Sequence, residues 1–243
     1  MKQQPTFQDL IAGHVRPGAV SIIGITGQAG AGKSNHIAPL AKAQIESVGY
    51  PAEILGLDVF FKLSSRARKA WLNEDGVDPE ELTRRADQMT WWDFDRAQSA
   101  LNDLLAHKPL HLEGVYNRAD GGELTGEVHI VPPKEGMAIL FDGVAICHLQ
   151  GMCEIAYVHT PASVRLERLR ARDRHRQGAE VLERFRLTQA FEVPYFHSHW
   201  HHLSCWLDNS RQDPLVLSSL DQTFALSEDG LPGQIIAFDE KAG

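Results

Sequence analysis

The sequence has few cysteines, no long apolar run and no excess of basic residues, and each of these absences excludes a class of protein. Its 243 residues contain three cysteines, Cys147, Cys153 and Cys205, whose spacing is typical of neither a metal site nor a redox motif. We therefore expect reduced thiols, as in a cytoplasmic protein. No apolar run approaches the length that spans a bilayer, and MKQQPTFQDL at the start lacks the apolar core of a signal peptide. The sequence thus predicts a soluble cytoplasmic protein with no membrane partner.

The charge balance argues against nucleic acid as the main partner. The chain carries 24 Lys and Arg residues against 32 Asp and Glu residues, a formal net charge of -8. A surface that holds a nucleic-acid backbone is basic, so we expect none here. The length suits one α/β unit, and we predict a single domain over residues 1–243.

Apolar, β-branched runs alternate along the chain with segments of helical periodicity. The predicted strands are residues 19–26, 52–57, 138–141, 155–159 and a last short one at 203–207, and the predicted helices are near 33–48, 95–106 and 163–174. This alternation predicts an α/β fold with a parallel sheet flanked by helices, which binds ligands beyond the carboxyl ends of the strands. The turn signals within residues 110–131 predict a β-hairpin insertion.

A glycine-rich motif lies directly between the first predicted strand and the first predicted helix. Its residues, Gly27, Gln28, Ala29, Gly30, Ala31, Gly32, Lys33 and Ser34, match the pattern G-x-x-x-x-G-K-[ST]. In this pattern backbone N–H groups and a helix N-terminus hold phosphates, the lysine reaches the β and γ phosphates, and the hydroxyl ligates Mg²⁺. We therefore predict a P-loop NTPase fold that binds ATP and Mg²⁺ through this motif and the adjoining Asn35. The chain has no N-K-x-D sequence, which disfavours GTP.

Two acids end predicted strands. Asp58 follows residues 52–57 and Asp142 follows residues 138–141, so both side chains are expected at the ligand-binding edge of the sheet. There Asp58 would serve as a general base, and Asp142 would support Mg²⁺ as the second metal residue beside Ser34. The alternatives are a helix cap for Asp58 and a turn residue before Gly143 for Asp142.

From about residue 21 to residue 209 the chain resembles the uridine kinase and phosphoribulokinase family of P-loop kinases. The likeness rests on GITGQAGAGKS, LGLDVFF, DQMTWWD, VYN and FDG. It implies that Asp58 is the catalytic acid and that Asp142 orients Mg²⁺. It also implies that the acceptor is held by Asp58, Phe61, Asp87, Tyr116 and Arg118. The chain departs from the family at Phe61, where Tyr is usual, and at RADGGEL, which replaces a His and an Arg after Tyr116.

The same resemblance implies a helical lid over about residues 161–195. Arg168 and Arg172 match the arginines of the family's R-x-x-x-R-D sequence, and with Arg165 they fall on one stripe of a helix. Since Arg suits bidentate phosphate contacts, we predict that Arg168 and Arg172 are catalytic residues that close over the transferring phosphate. A solvated helix face is the alternative.

A pair of tryptophans and a cluster of four histidines each allow more than one interpretation. Trp91 and Trp92 would either stack on a base or sugar ring or belong to the core. His197, His199, His201 and His202 would either bind a metal or line a pocket, and the second is favoured because no acid or Cys accompanies them at a recognised spacing.

Together these features predict an ATP- and Mg²⁺-dependent kinase that phosphorylates a hydroxyl of a small metabolite, such as a nucleoside or a sugar. One alternative is a P-loop ATP-binding protein with a regulatory or assembly role that has lost phosphotransfer. A nucleic-acid-binding ATPase that uses the arginine-rich stretch is another, which the net charge disfavours. The resemblance leaves a homo-oligomer open, and the departures leave the acceptor unidentified.

Overall fold

A computed structural model describes residues 13–174 and 178–227 of the chain. Part of the predicted lid, at residues 175–177, lies outside the described residues, as do the first twelve residues and residues 228–243. In chain order the elements are β1 (Val20–Thr26), a π-helical turn (Lys33–Ile37) continued by α1 (Ala38–Ser47), β2 (Ala52–Gly56), α2 (Ser65–Leu72), α3 (Pro79–Ala86), α4 (Phe94–Leu105), β3 (Leu110–Asn117), β4 (Glu123–Ile130), β5 (Met137–Asp142), β6 (Met152–His159), α5 (Ala162–Arg172), α6 (Gly178–His199), β7 (Cys205–Asp208), β8 (Leu215–Leu217) and α7 (Gln222–Leu226).

Six strands form a mostly parallel sheet in the order β2-β5-β1-β6-β7-β8. The first five are parallel to their neighbours, and only the edge pair β7 and β8 is antiparallel. All residues of β1 and β5 are buried, as expected for strands covered on both faces. The predicted α/β fold with a parallel sheet is therefore confirmed.

The helices cover both faces of this sheet and divide the core in two. On one face α1 packs Ala41 and Ile45 into a cluster that includes Ile23 of β1. On the other face Leu101 of α4 belongs to a cluster that includes Ile22. Because successive strand side chains point to opposite faces, one apolar run supplies both clusters.

The β-hairpin predicted for residues 110–131 is present as the antiparallel pair β3 and β4, separate from the main sheet. Leu110, Val115 and Ile130 are buried and anchor the hairpin on the larger core cluster. This anchoring carries Tyr116 and the short 3₁₀ turn Arg118–Asp120 towards the carboxyl ends of the sheet strands.

Two helices that precede α4 were not predicted from the sequence. Between β2 and α4 the chain forms α2, which Ser64 caps, and α3, which Asp78 caps, and neither helix buries a residue. The helix α6 has 22 residues and contains Pro194. In the described part of the chain, no helix combines the length and the apolar character needed to cross a membrane.

Candidate active site

A cavity of about 830 Å³ opens where β1, β2 and β5 end. The predicted site residues that line it are Ala29, Gly30, Gly32, Lys33, Ser34, Asn35, Asp58, Tyr116, Arg118, Asp142, Arg168 and Arg172. Gly27, Gln28, Ala31, Phe61 and Asp87 do not line it. The sheet topology therefore gathers most of the predicted site in one place, from segments more than a hundred residues apart in sequence.

The phosphate loop, residues 27–34, turns tightly at glycines with left-handed backbone conformations. Gly30 has φ 81°, and a Cβ there would lie 2.7 Å from the Arg165 carbonyl oxygen. Gly32 has φ 90°, and a Cβ there would collide with the Asn209 side chain. Only glycine fits such positions without strain, so the glycines of the motif determine this close turn. The resulting concave backbone before a helix N-terminus fits a polyphosphate.

Lys33 is buried and folds back over its own loop. Its Nζ donates to the Gly27 carbonyl at 2.6 Å and to the Gln28 carbonyl at 3.2 Å. Burial lowers the pKa of Lys33, while the charges of Glu192 and Asp142 oppose that shift. A phosphate would replace the two carbonyls with a negative partner, which suits the role predicted for this lysine.

Ser34 and Asp142 form the pair that fits a magnesium ion. The Ser34 hydroxyl donates to Asp142 Oδ2 where the π-helical turn before α1 meets the end of β5 at the cavity. Burial raises the pKa of Asp142, and the hydrogen bond from Ser34 works against that change. Hard oxygen donors of this kind suit Mg²⁺, which keeps waters and phosphate oxygens as its other ligands. The side chains therefore fit the predicted metal role.

Asp58 is paired directly with Arg118 at the cavity. Asp58 lies in the 3₁₀ turn Leu57–Phe60 after β2, and its carboxylate accepts a hydrogen bond from the Arg118 guanidinium at the hairpin tip. The charge of Asp58 raises the pKa of Arg118. No capping hydrogen bond from a side chain is found at that turn, so the helix-cap interpretation of Asp58 is not supported. Asp58 instead lines the cavity.

An arginine that the sequence did not single out lies behind Tyr116. The guanidinium of Arg68, on α2, packs over two aromatic rings. Its Cζ lies 4.1 Å from the centroid of the Phe61 ring and 5.1 Å from the centroid of the Trp91 ring. Phe61 also contacts the ring of Tyr116 at 4.9 Å. Phe61 is therefore part of an aromatic wall that supports Tyr116 rather than a residue lining the cavity.

The two tryptophans have different surroundings. Trp92 is buried in the larger core cluster, stacked on Phe61 at 5.0 Å, as the core interpretation expects. Trp91 is half-buried and donates its ring N–H to the Arg85 carbonyl.

Asp87 is exposed and accepts a hydrogen bond from the Met89 N–H at 2.9 Å, which caps the 3₁₀ turn Gln88–Thr90. The structure does not bring Asp87 to the cavity, so its predicted contact with the acceptor is without structural support.

The predicted stripe of three arginines on α5 splits into three environments. Arg165 is 1% exposed and donates to the Thr160 carbonyl at 3.0 Å, which excludes a solvated position for it. Arg168 donates to the carbonyls of Ala31 and Asn209. Arg172 is partly exposed and pairs with its neighbour Asp173. Arg172 thus has the more accessible guanidinium, whereas Arg168 also braces the loop.

Two residues that sequence reasoning missed hold the phosphate loop. Asn209, which follows β7, is fully buried and donates to the Ala31 carbonyl at 2.7 Å while its other side-chain atom contacts His36. Glu192, on α6, accepts from the Ala29 N–H. Neither belongs to a motif. Glu192 is at least a polar residue between apolar neighbours, whereas Asn209 lies in a polar stretch and has no such sequence signal.

Three of the histidines near the end of α6, His199, His201 and His202, have neighbouring rings. Within the residues that the structure describes, no group of three or more His, Cys, Asp or Glu side chains could hold a metal ion. His201 and His202 have ring centroids 4.1 Å apart, and both are exposed.

Known proteins resemble this chain in fold rather than in overall sequence. No family model and no curated protein matches the sequence. Among solved structures, a candidate fructose transport system kinase from Silicibacter sp. TM1040 superposes with a TM-score of 0.60 at 17% identity, over 80% of this chain and 95% of that one. The chain therefore shares its α/β fold with this candidate kinase. A candidate uridine kinase from Bacillus stearothermophilus also matches, with a TM-score of 0.51 at 14% identity, over 79% of this chain and 90% of that one. At such identities the comparison establishes the shared fold alone, and this fold agrees with the resemblance of the motifs.

Proposed function

We propose that this protein transfers the γ-phosphate of ATP to a hydroxyl group of a small polar metabolite such as a nucleoside or a sugar. The observation that carries the proposal is the convergence of the phosphate loop, the Ser34 and Asp142 pair and Asp58 on one cavity. Each supplies a different requirement of phosphoryl transfer: a phosphate cradle, metal ligands and a base. The fold of the solved kinases supports the same conclusion.

In the proposed reaction Asp58 accepts the proton of the acceptor hydroxyl. The hydroxyl oxygen forms a bond to the γ-phosphorus as the bond from that phosphorus to the β,γ-bridging oxygen breaks, and ADP leaves. Asp58 must first be released from Arg118, since a carboxylate held by a guanidinium is a weaker base. We infer that the bound acceptor takes over the Arg118 contact, with Tyr116 as a further contact at the cavity wall.

The chain's cations would hold and neutralise the phosphates. Lys33 exchanges its loop carbonyls for the β and γ phosphates, and Arg172 reaches the transferring group from α5. Ser34 and Asp142 would hold Mg²⁺, which when bound neutralises charge on the phosphate oxygens. We propose that the enzyme acts in the cytoplasm. A homo-oligomer is compatible with the resemblance to the kinase family.

A coupled assay of ADP release tests the proposal. Nucleosides, pentoses and alcohols related to vitamins are offered as acceptors, with ATP and Mg²⁺ in excess. The Asp58→Asn variant should lower kcat for the best acceptor by about 100-fold or more, because general-base catalysis contributes that much. Asp75→Asn, in an exposed loop away from the cavity, should match the wild type.

The proposal is wrong if every acceptor leaves the rate at background, or if Asp58→Asn works as well as Asp75→Asn. Acceptor-independent hydrolysis that a protein partner stimulates would instead favour the regulatory or assembly role.

A further inference from the structure

A buried carboxylate on α6 is bonded directly to the phosphate loop. Glu192 is 1% exposed, and both of its carboxylate oxygens accept from the Ala29 backbone N–H, at 2.9 Å and 3.0 Å. Ala29 itself lines the cavity, whereas Glu192 lies behind the loop. A buried charge is costly unless it is paired and hydrogen-bonded, so a carboxylate at this position calls for an explanation.

A network of side chains extends the contact between α6 and the loop. Gln189, one turn before Glu192, donates to it at 3.3 Å and accepts from Gln28 of the loop at 3.1 Å. Gln189 also accepts from Arg165 at 3.1 Å. The hydroxyl of Tyr157, on β6, donates to Gln28 at 3.4 Å. The first half of the phosphate loop is thus held through consecutive residues by one face of α6.

The charges around Glu192 come from three other elements. Lys33 of the phosphate loop and Arg165 on α5 favour the ionised carboxylate, and Tyr157 on β6 adds a titratable hydroxyl. Burial outweighs the two cations and raises the pKa of Glu192 to about 7. In return, Glu192 is the largest of the charges that favour protonated Lys33.

We propose that Glu192 is a positioning residue for nucleotide binding, which holds the phosphate loop from α6 and gives Lys33 a counter-charge until phosphates arrive. This inference rests on the proposed ATP site but on neither the acceptor nor the transfer step. Its anchoring part predicts that removal of the side chain weakens nucleotide binding. The counter-charge role predicts that removal of the charge alone strengthens nucleotide binding, since an ionised Glu192 repels the incoming phosphates.

Three variants separate these two parts. Glu192→Ala removes both the acceptor oxygens and the charge. Glu192→Gln keeps an oxygen that can accept from the Ala29 N–H and removes the charge. Glu183→Gln, an exposed residue on the same helix, is the matched control. Binding of Mg²⁺ and ADP is measured by titration calorimetry at pH 6 and pH 8, without any acceptor.

The ratio of the ADP affinity of the wild type to that of Glu192→Gln should fall by about fivefold from pH 6 to pH 8. At pH 8 the carboxylate of the wild type is ionised, so it must either take up a proton or repel the phosphates. Glu183→Gln should follow the wild type. Glu192→Ala should bind ADP at least about tenfold more weakly than the wild type, since a lost charge-assisted hydrogen bond costs that much.

A constant affinity ratio between wild type and Glu192→Gln at the two pH values would overturn the inference, as would a Glu192→Ala variant that binds ADP like the wild type. If Glu192→Ala does not fold, the pH dependence of Glu192→Gln decides alone. Wild type that binds no ADP would overturn the proposed function as well, so the two failures are distinguishable.

Discussion

At the scale of single residues, the cavity combines groups whose chemistry depends on their burial. Asp142 is held by Ser34 in a buried setting that raises its pKa, whereas Asp58 stands at the open side with Arg118. Both acids could be predicted because each ends an apolar strand, and strand ends in parallel sheets face the ligand. Arg68 and Glu192 could not, because only their distant neighbours give them a role.

Ser34 offers a test of the metal site at this scale. Ser34→Ala should weaken ADP binding about tenfold in the presence of Mg²⁺, because one of the two protein groups at the metal is lost. In EDTA the variant should bind ADP like the wild type. Ser47→Ala, exposed at the end of α1, is the control. Equal losses with and without Mg²⁺ would contradict the assignment of Ser34 to the metal.

At the scale of elements, the strands of the parallel sheet were predicted well and the helices around them less so. A buried strand leaves a short β-branched run, as residues 19–26 show, and the glycine motif determines the turn and the helix start after that strand. The helices α2 and α3 have no buried residue, so they have no apolar stripe to read. The strand β8 has three residues, too few for a periodic pattern. Asp87 does not line the cavity, and its predicted contact with the acceptor rested only on the resemblance of DQMTWWD.

The helix α5 carries two arginines that should respond differently to truncation. Arg168→Ala removes the donors to two backbone carbonyls and should lower Tm by about 2–6 °C. Arg172→Ala loses only a partly exposed ion pair and should leave Tm within about 1 °C. If Arg172 contacts the transferring phosphate, its variant should nevertheless lower kcat about tenfold or more. Thermal melts and initial rates measure both effects, and equal Tm losses would contradict the structural distinction.

At the scale of the whole molecule, the proposed phosphate-binding side of the site could be predicted from the sequence and the proposed acceptor side could not. Phosphate binding uses a contiguous motif and backbone geometry, so it is legible in a single chain. The acceptor side joins Asp58, Tyr116 and Arg118, which the hairpin and β2 bring together only in the folded protein. The chain departs from the sequences that it resembles at Phe61 and after Tyr116, in those same segments, so its sequence does not predict the acceptor.

The pH dependence of the free energy of unfolding should include a contribution from the buried Glu192. Its pKa is raised from about 4.5 in the unfolded chain to about 7 in the fold, so the folded state holds the proton more tightly. This contribution to stability is therefore complete below the unfolded value and is lost as the pH rises to about 7. The Tm of the wild type relative to Glu192→Gln should fall by a few degrees between about pH 4.5 and about pH 7.5, while Glu183→Gln tracks the wild type. A constant difference would show that folding does not change the pKa of Glu192.

The central claim is that the γ-phosphate of ATP moves to a metabolite and not to water. The most direct measurement supplies γ-³²P-labelled ATP, Mg²⁺ and the acceptor panel to the wild type and to Asp58→Asn, and then separates phosphate esters from inorganic phosphate. The label should appear in an organic ester with at least one acceptor, in amounts equal to the ADP formed, and Asp58→Asn should nearly abolish it. Label recovered only as inorganic phosphate, at a rate that no acceptor changes, would contradict a kinase function.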